Sequence, residues 1–277
     1  MAAQKSIIVT GCSSGIGAYC ARALKQDGWR VFATVRKAED LKALEDDGLE
    51  ALLMDYRDTA SIAALTETVL SRTGGRLDAL FNNGAYGQAG AVEDLPTEAL
   101  REQFETNVFG WHDLTRRVVP VMRAQGSGRI VQCSSILGLI PYRWRGAYTA
   151  SKFALEGLSL TLRMELDGSG VMVSLIEPGP IESRFTANCL EAIKRNIDVE
   201  NSVHAADYQR QLARLDGTGP KNRHKLGPDA VYKVLQHALT AKRPRPHYLV
   251  TKPAKQGVAL KRLMPSDLFY RLMRALD

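Results

Sequence analysis

Residues 6 to 17 read Ser6-Ile7-Ile8-Val9-Thr10-Gly11-Cys12-Ser13-Ser14-Gly15-Ile16-Gly17. A β-branched apolar run leads into a glycine-rich turn, and the residues that follow, GIGAYCARALKQDG, carry helical periodicity. A diphosphate held at a helix N-terminus needs exposed backbone N–H groups and no Cβ in the way. Gly11, Gly15 and Gly17 meet that need, with Ser13, Ser14 and Ile16 completing the turn. The spacing is G-x-x-x-G-x-G, and glycines at such a turn also serve tight packing alone. Their place between a strand and a helix is what points to a phosphate.

The same alternation continues outward. WRVFATV precedes AEDLKALEDDG, LEALLMD precedes TASIAALTETVLSRTG, and LDALFNNG precedes a helical stretch from Thr97 to Ala124. GRIVQCSS then precedes AYTASKFALEGLSLTLRMELDGSG, and VMVSLIEPG follows. Strands alternating with helices imply βαβ units, and continuous apolar strands imply a parallel sheet covered on both faces. The expected fold is α/β, a doubly wound Rossmann-type sheet with six strands by Glu177 and a seventh at His247 to Val250. No linker interrupts the series, so residues 1–277 read as one domain. Between Phe185 and Leu226 the pattern fails, and residues 185–226 are expected to form an irregular substrate lid at the carboxyl edge of the sheet. In the tail, residues 255–277, an apolar stripe of Leu268, Phe269, Leu272, Met273 and Leu276 runs beside Arg271 and Arg274. Such a helix docks on the core, closes over a substrate or makes weak peripheral contact with a membrane.

The 277-residue chain is 45% hydrophobic and 24% charged without a low-complexity tract, which excludes disordered, collagenous and coiled-coil proteins. Thirty-seven Lys and Arg against 30 Asp and Glu leave a formal charge of +7. The cations thicken after Arg195, at KNRHK (221–225) and KRPR (242–245). This reads as a solvated basic face with some cations spent on a phosphate-bearing ligand, and no nucleic-acid partner is expected. Cys12, Cys20, Cys133 and Cys189 lack metal-type spacing and are too few for a disulfide framework. No metal is expected, and the setting is a reducing cytoplasm. The first apolar run is far shorter than a spanning helix of ~20 residues, so no membrane span is expected.

The second strand ends VFATVRK, with no acid before Glu39. An acidic residue at this place holds the free 2′-OH of an adenine ribose, whereas a 2′-phosphate wants a cation. Arg36 therefore favours NADP(H) over NAD(H), unless it merely faces solvent. Asp55 closes the third strand and either accepts from the adenine amine or caps the strand end.

Tyr148 and Lys152 stand four apart in a helical stretch and so share one helix face. A phenol has a pKa of ~10, and a lysine charge ~4 Å away at an effective dielectric of ~20 contributes ~4 kcal/mol, enough to lower that pKa by ~3. Tyr148 is thus expected to exchange a proton near neutral pH. Ser134 and Ser135 end the fifth strand, where a hydroxyl can hold a substrate oxygen.

Together these residues resemble the short-chain dehydrogenase/reductase family in its single-domain branch, over roughly residues 5–185. The motifs are TGCSSGIG, NNGA at 82–85, Asn107, Ser135, Tyr148-x-x-x-Lys152 and Pro178-Gly179. The resemblance implies a sheet order of 3-2-1-4-5-6-7 and a homodimer or homotetramer. It implies Tyr148 as general acid/base, and Lys152 as the group that lowers its pKa and binds the nicotinamide ribose. The family's Ser-to-Tyr interval selects Ser135, not Ser134, as the substrate-orienting hydroxyl, and Asn107 would hold a water behind Lys152. Asn82, Gly84, Pro178, Gly179, Ile181 and Ser183 join the cofactor edge. Two departures stand out: Asn82-Asn83-Gly84-Ala85 replaces Asn-Asn-Ala-Gly, and Ser183 replaces the usual Thr after Pro-Gly.

The strand-end Arg and the excursion after Phe185 look most like the 17β-hydroxysteroid and retinol dehydrogenase branch, which implies a bulky apolar carbonyl or alcohol substrate. Leu137 and Tyr142 are the expected pocket walls, with Ile140 and Trp144 either beside them or packed against the lid. A β-ketoacyl thioester reductase shares the same tetrad but calls for a shorter lid. A non-catalytic NADP(H) sensor does not require an intact tetrad.

Overall fold

In the computed structural model, which describes residues 4–216 and 224–275, the apolar run that opens the chain is the interior strand β1 (Ser6–Val9). β2 (Arg30–Val35), β3 (Glu50–Leu53), β4 (Ala79–Asn82), β5 (Gly128–Cys133), β6 (Val171–Glu177) and β7 (His247–Leu249) join it in one sheet. The order is 3-2-1-4-5-6-7 and every pairing is parallel, with Ile8 opposite both Phe32 and Leu80. β1 and β4 are buried at every position, as strands covered on both faces must be. Each fully buried Ile, Leu or Phe there contributes roughly 1.5–3 kcal/mol.

The covering helices are α1 (Gly15–Gln26), α2 (Leu41–Asp46), α3 (Thr59–Arg72), α4 (Thr97–Phe104), α5 (Gly110–Gln125), α6 (Gly146–Glu165) and α9 (Asp229–Thr240). α1 buries Gly17, Ala18, Cys20, Ala21 and Leu24, a stripe at helical spacing, and packs beside α9. The helical stretch expected from Thr97 to Ala124 is unbroken, and α4 runs into α5 through a π turn over Glu105–Phe109 that carries Asn107. All four cysteines are buried, unpaired thiols.

The segment after β6 departs from the expectation of irregular chain. It forms α7 (Phe185–Asn196) and α8 (Ala205–Leu215), and residues 217–223 of the expected lid lie outside the described chain. Apolar residues are too sparse in this polar segment to read as helices, yet Cys189, Ile193 and Tyr208 are buried in a second core together with Trp144. The Tyr208 hydroxyl accepts from the Ala91 N–H at 2.8 Å and donates to Asp94 at 2.9 Å. The expected tail helix is a pair, α10 (Lys252–Leu263) and α11 (Ser266–Ala275), and Leu276 lies outside the described residues. Phe269 is buried against Ile140 and Val258, so the pair docks on the core, while Leu268 faces out. Among the described residues, no helix is long and apolar enough to cross a membrane.

The glycine turn is set by contact. Gly11 has φ +68°, and a Cβ there would stand 2.5 Å from the Gly84 Cα. A Cβ on Gly17 would overlap the Gly11 carbonyl oxygen. Helix propensity favours Ala over Gly by ~1 kcal/mol, but overlap with fixed backbone costs about 1–3 kcal/mol or more. Gly17→Ala is therefore expected to lower the free energy of urea unfolding by about 1–2 kcal/mol. A Gly17→Ala variant as stable as the parent would refute the contact.

Candidate active site

Three hydroxyl and ammonium groups converge beyond the carboxyl end of β5. Ser135 follows the strand in extended backbone and opens a short 3-10 turn, Ile136–Gly138, accepting the Leu137 N–H at 3.1 Å. The Tyr148 phenol, in the first turn of α6, stands where the Ser135 hydroxyl favours its ionised form. One turn on, Lys152 is 1% exposed and donates to the Cys133 carbonyl at 2.8 Å. The Phe185 ring, first residue of α7, lies 5.1 Å from the Tyr148 ring.

The expected electrostatics differ in this cluster. Burial is the largest influence on Tyr148 and raises its pKa, with the nearby Ser135 hydroxyl opposing it. The Lys152 Nζ stands 5.7 Å from the phenol ring centroid and is aimed at Cys133. The direct lysine charge assumed from sequence spacing does not overcome desolvation. Burial also pushes Lys152 down to about 8. Asn107 spends its amide on the Tyr86 carbonyl at 3.0 Å and the Ser151 hydroxyl at 3.4 Å, so its side chain ties the π turn to its neighbours.

The glycine turn sits at the same edge. A Cβ added to Gly15 would stand 2.9 Å from that of Ser183, which brings the segment after β6 against Gly11–Gly17. Ser13 is exposed while Ser14 and Ile16 are half-buried. Gly84 donates to the Thr10 hydroxyl at 3.1 Å, and the carbonyl of buried Pro178 accepts the Ile136 N–H at 2.9 Å, joining the Pro178-Gly179 turn to the Ser135 loop. Arg36 is exposed at the tip of β2.

Three residues expected at the cofactor edge also carry scaffold contacts. Asn82 is fully buried, donating to Gln132 at 2.9 Å and Thr115 at 3.1 Å and accepting from Tyr56 at 2.7 Å. It braces the sheet because every polar atom so deep must be paired. Asp55 takes the cap role, accepting the Arg57 N–H at 2.9 Å and pairing with its guanidinium at 3.1 Å. Ile181 is buried in the main core and bridges to Leu226. Leu137 and Tyr142 are half-buried in the loop after Ser135, whereas Ile140 and Trp144 pack against the tail pair and α8.

The profile of the short chain dehydrogenase family matches residues 5–194. The chain belongs to the short chain dehydrogenase family. It is 39% identical to the uncharacterized oxidoreductase YbbO of Escherichia coli K12, covering 98% of this chain and 94% of that one. It is 33% identical to human 17-beta-hydroxysteroid dehydrogenase type 1, over 90% of this chain and 78% of the relative. Its fold matches that of an actinorhodin polyketide ketoreductase solved with NADPH, with TM-score 0.72, 28% identity and coverage of 90% and 97%.

Within this family site the sequence did not reveal one further cluster, because three separate elements build it. Glu156 stands one turn beyond Lys152 on α6, Glu177 ends β6, and His247 begins β7. The His247 Nδ1 lies 2.6 Å from Glu177 and 3.8 Å from Glu156, and the Tyr248 N–H donates to Glu177 at 2.8 Å. Among the described residues neither Glu156 oxygen has a hydrogen-bond partner. Burial, and then the Glu177 charge, push Glu156 up to about 7.

A carboxyl raised in the folded state binds its proton more tightly there than in the unfolded chain. Stability is then full below the unfolded pKa of ~4.5 and falls as pH rises to about 7. Glu156→Gln removes this penalty, so its melting temperature relative to the parent is expected to climb between pH 4.5 and 7. The full gain is on the order of 3 kcal/mol. An offset that stays constant across that range would sink the assignment.

Proposed function

We propose that this short chain dehydrogenase is an NADP(H)-dependent oxidoreductase acting on the carbonyl or alcohol of a bulky apolar substrate of steroid, retinoid or aldehyde type. The observation that carries the reading is the Ser135–Tyr148 hydroxyl pair, with Lys152 one helical turn away, beside the glycine turn. The residues fit the cofactor. Gly15 and Gly17 let the turn close against Ser183 and Gly11 at the N-terminus of α1, whose first N–H groups can take a diphosphate, and the exposed Arg36 offers a guanidinium to a 2′-phosphate. Glu39, the nearest acid after β2, is paired with Lys37 at 3.1 Å. The polyketide ketoreductase of similar fold was solved with NADPH, which supports the same choice.

When bound, the nicotinamide supplies or accepts the hydride. Ser135 orients the substrate oxygen, and Tyr148 gives it a proton in reduction and takes one back in oxidation. Lys152 stabilises the phenolate left after donation and offers its ammonium to the nicotinamide ribose. Leu137, Tyr142 and Phe185 provide apolar or aromatic walls, and α7 and α8 form the lid. The length of that helical pair favours a bulky substrate over a thioester, and the 17-beta-hydroxysteroid dehydrogenase relative supports the same class. The apolar groove between α5 and α6, flanked by exposed Leu158 and Met164, is the surface through which two copies would associate.

Loss of NADPH absorbance with steroid ketones, retinal, medium-chain aldehydes and a β-ketoacyl thioester tests the substrate class. Turnover of an apolar ketone or aldehyde is expected, and preference for the thioester would overturn the class. Tyr148→Phe should abolish turnover while sparing NADPH binding; a Phe variant that still turns over removes Tyr148 from the chemistry. Arg36→Asp should shift preference toward NADH by about tenfold, as loss of a charge-assisted phosphate contact implies. An unchanged cofactor ratio would rule out the 2′-phosphate role.

A further inference from the structure

A buried ammonium must replace the hydration it has lost. Lys152 has the Cys133 carbonyl at 2.8 Å, and its other close partner is an aromatic face: Nζ lies 4.2 Å from the centroid of the Trp111 ring. Trp111 occupies the first turn of α5 and is fully buried. Its Nε1 donates to the Gly84 carbonyl at 2.8 Å, and its ring lies 5.9 Å from that of Tyr56. The indole is thus fixed through its edge by the turn that follows β4 and supported by Tyr56.

We propose that Trp111 is a positioning residue for the reaction: its indole face holds the Lys152 ammonium charged and aimed, and its Nε1 ties that aim to the Gly84 turn. The proposal rests on the reading of Lys152 as a working group. Trp is the strongest cation–π partner among side chains, and the interaction grows when both groups are desolvated. The other groups facing Lys152 are Tyr148 and Glu156 from α6 and the Cys133 thiol from β5, with Glu177 of β6 beyond Glu156. Burial drives Lys152 toward its neutral form and Cys133 and Glu156 oppose it, leaving it at about 8. Removing the ring takes away a contact that favours the charged form. The neutral fraction then appears at lower pH, and an activity that needs the ammonium is lost earlier as pH rises.

The test uses the full chain with Trp111→Met, which fills volume without a π face, and Trp111→Phe, which keeps a face and loses the N–H. Titration of the Lys152 Nζ by NMR in 15N-lysine-labelled protein reads the effect without turnover, and the pH profile of kcat reads it with turnover. The Met variant is expected to titrate about one pH unit lower, to lose about tenfold in kcat and to move the alkaline limb down with it. The Phe variant should restore the limb to within about 0.3 pH units while raising the cofactor KM about threefold, as the Gly84 tie alone is cut. A purely structural role would lower folded protein without moving either titration. Equal Lys152 titration in the Met variant and the parent overturns the proposal. A shifted titration alongside a fully active Tyr148→Phe protein instead overturns the reading of the site and leaves the Trp111 contact standing.

Discussion

A lysine that is 1% exposed constrains everything placed around it. Charged ammonium so deep is tolerated only where carbonyl and aromatic groups stand in for water. The Cys133 carbonyl is available because β5 ends there, at the last rung of its ladder with β6. Trp111 is available because the π turn between α4 and α5 delivers the first turn of α5 beneath the cleft. Tyr148, Lys152 and Glu156 follow one another at four-residue spacing on one face of α6. Moving any of these elements by a turn would strand the charge, so the position of Lys152 ties the strand end and two helices together.

The glycine turn is registered to that cluster through polar contacts. The Thr10 hydroxyl accepts the Asn83 N–H at 2.8 Å and the Gly84 N–H at 3.1 Å, and the Tyr56 hydroxyl joins Thr10 at 2.8 Å to Asn82 at 2.7 Å. Asn82 then reaches Gln132 on β5, one residue before Cys133. A continuous buried network thus runs from the end of β1 to the strand end that holds Lys152. Such networks are rigid when every member is paired. The glycine turn and the Ser135 and Tyr148 hydroxyls are consequently parts of one frame, and the exchange of Ala and Gly in Asn82-Asn83-Gly84-Ala85 fits it: a Cβ at Gly84 would stand 3.1 Å from the Tyr56 ring and 3.3 Å from the Gly11 nitrogen.

What could be read before the structure was whatever periodicity and local spacing encode. The parallel strands and the Tyr148-x-x-x-Lys152 face fall in that class, because each depends on residues close in sequence; the strand order, a long-range property, came only with the family resemblance. The helices of the excursion were obscured by polar faces, since α8 buries only Tyr208, Gln211 and Leu215. Asn82 carried the right residue type at the right strand end, but its bond to Gln132, fifty residues on, depends on how the strands are ordered. The Glu156, Glu177 and His247 cluster was hidden because α6, β6 and β7 each contribute one member. Trp111 had no signal at all: an aromatic residue in an amphipathic helix is ordinarily core, and only the third dimension places an ammonium over its face.

The phenol illustrates why spacing alone misjudges electrostatics. Spacing supplies a nearby positive charge, which favours phenolate; burial removes water, which favours phenol, and in the folded chain burial prevails. The consequence concerns direction. A Tyr148 that holds its proton through the neutral range enters the proposed reaction as a donor, which is the role that carbonyl reduction requires. Lys152, pushed down to about 8 yet still largely protonated at neutral pH, stands ready for the phenolate that donation creates. In the proposed reading Arg36 takes the 2′-phosphate of a cofactor that cells keep reduced, so the cofactor edge and the proton-donating edge favour the same direction.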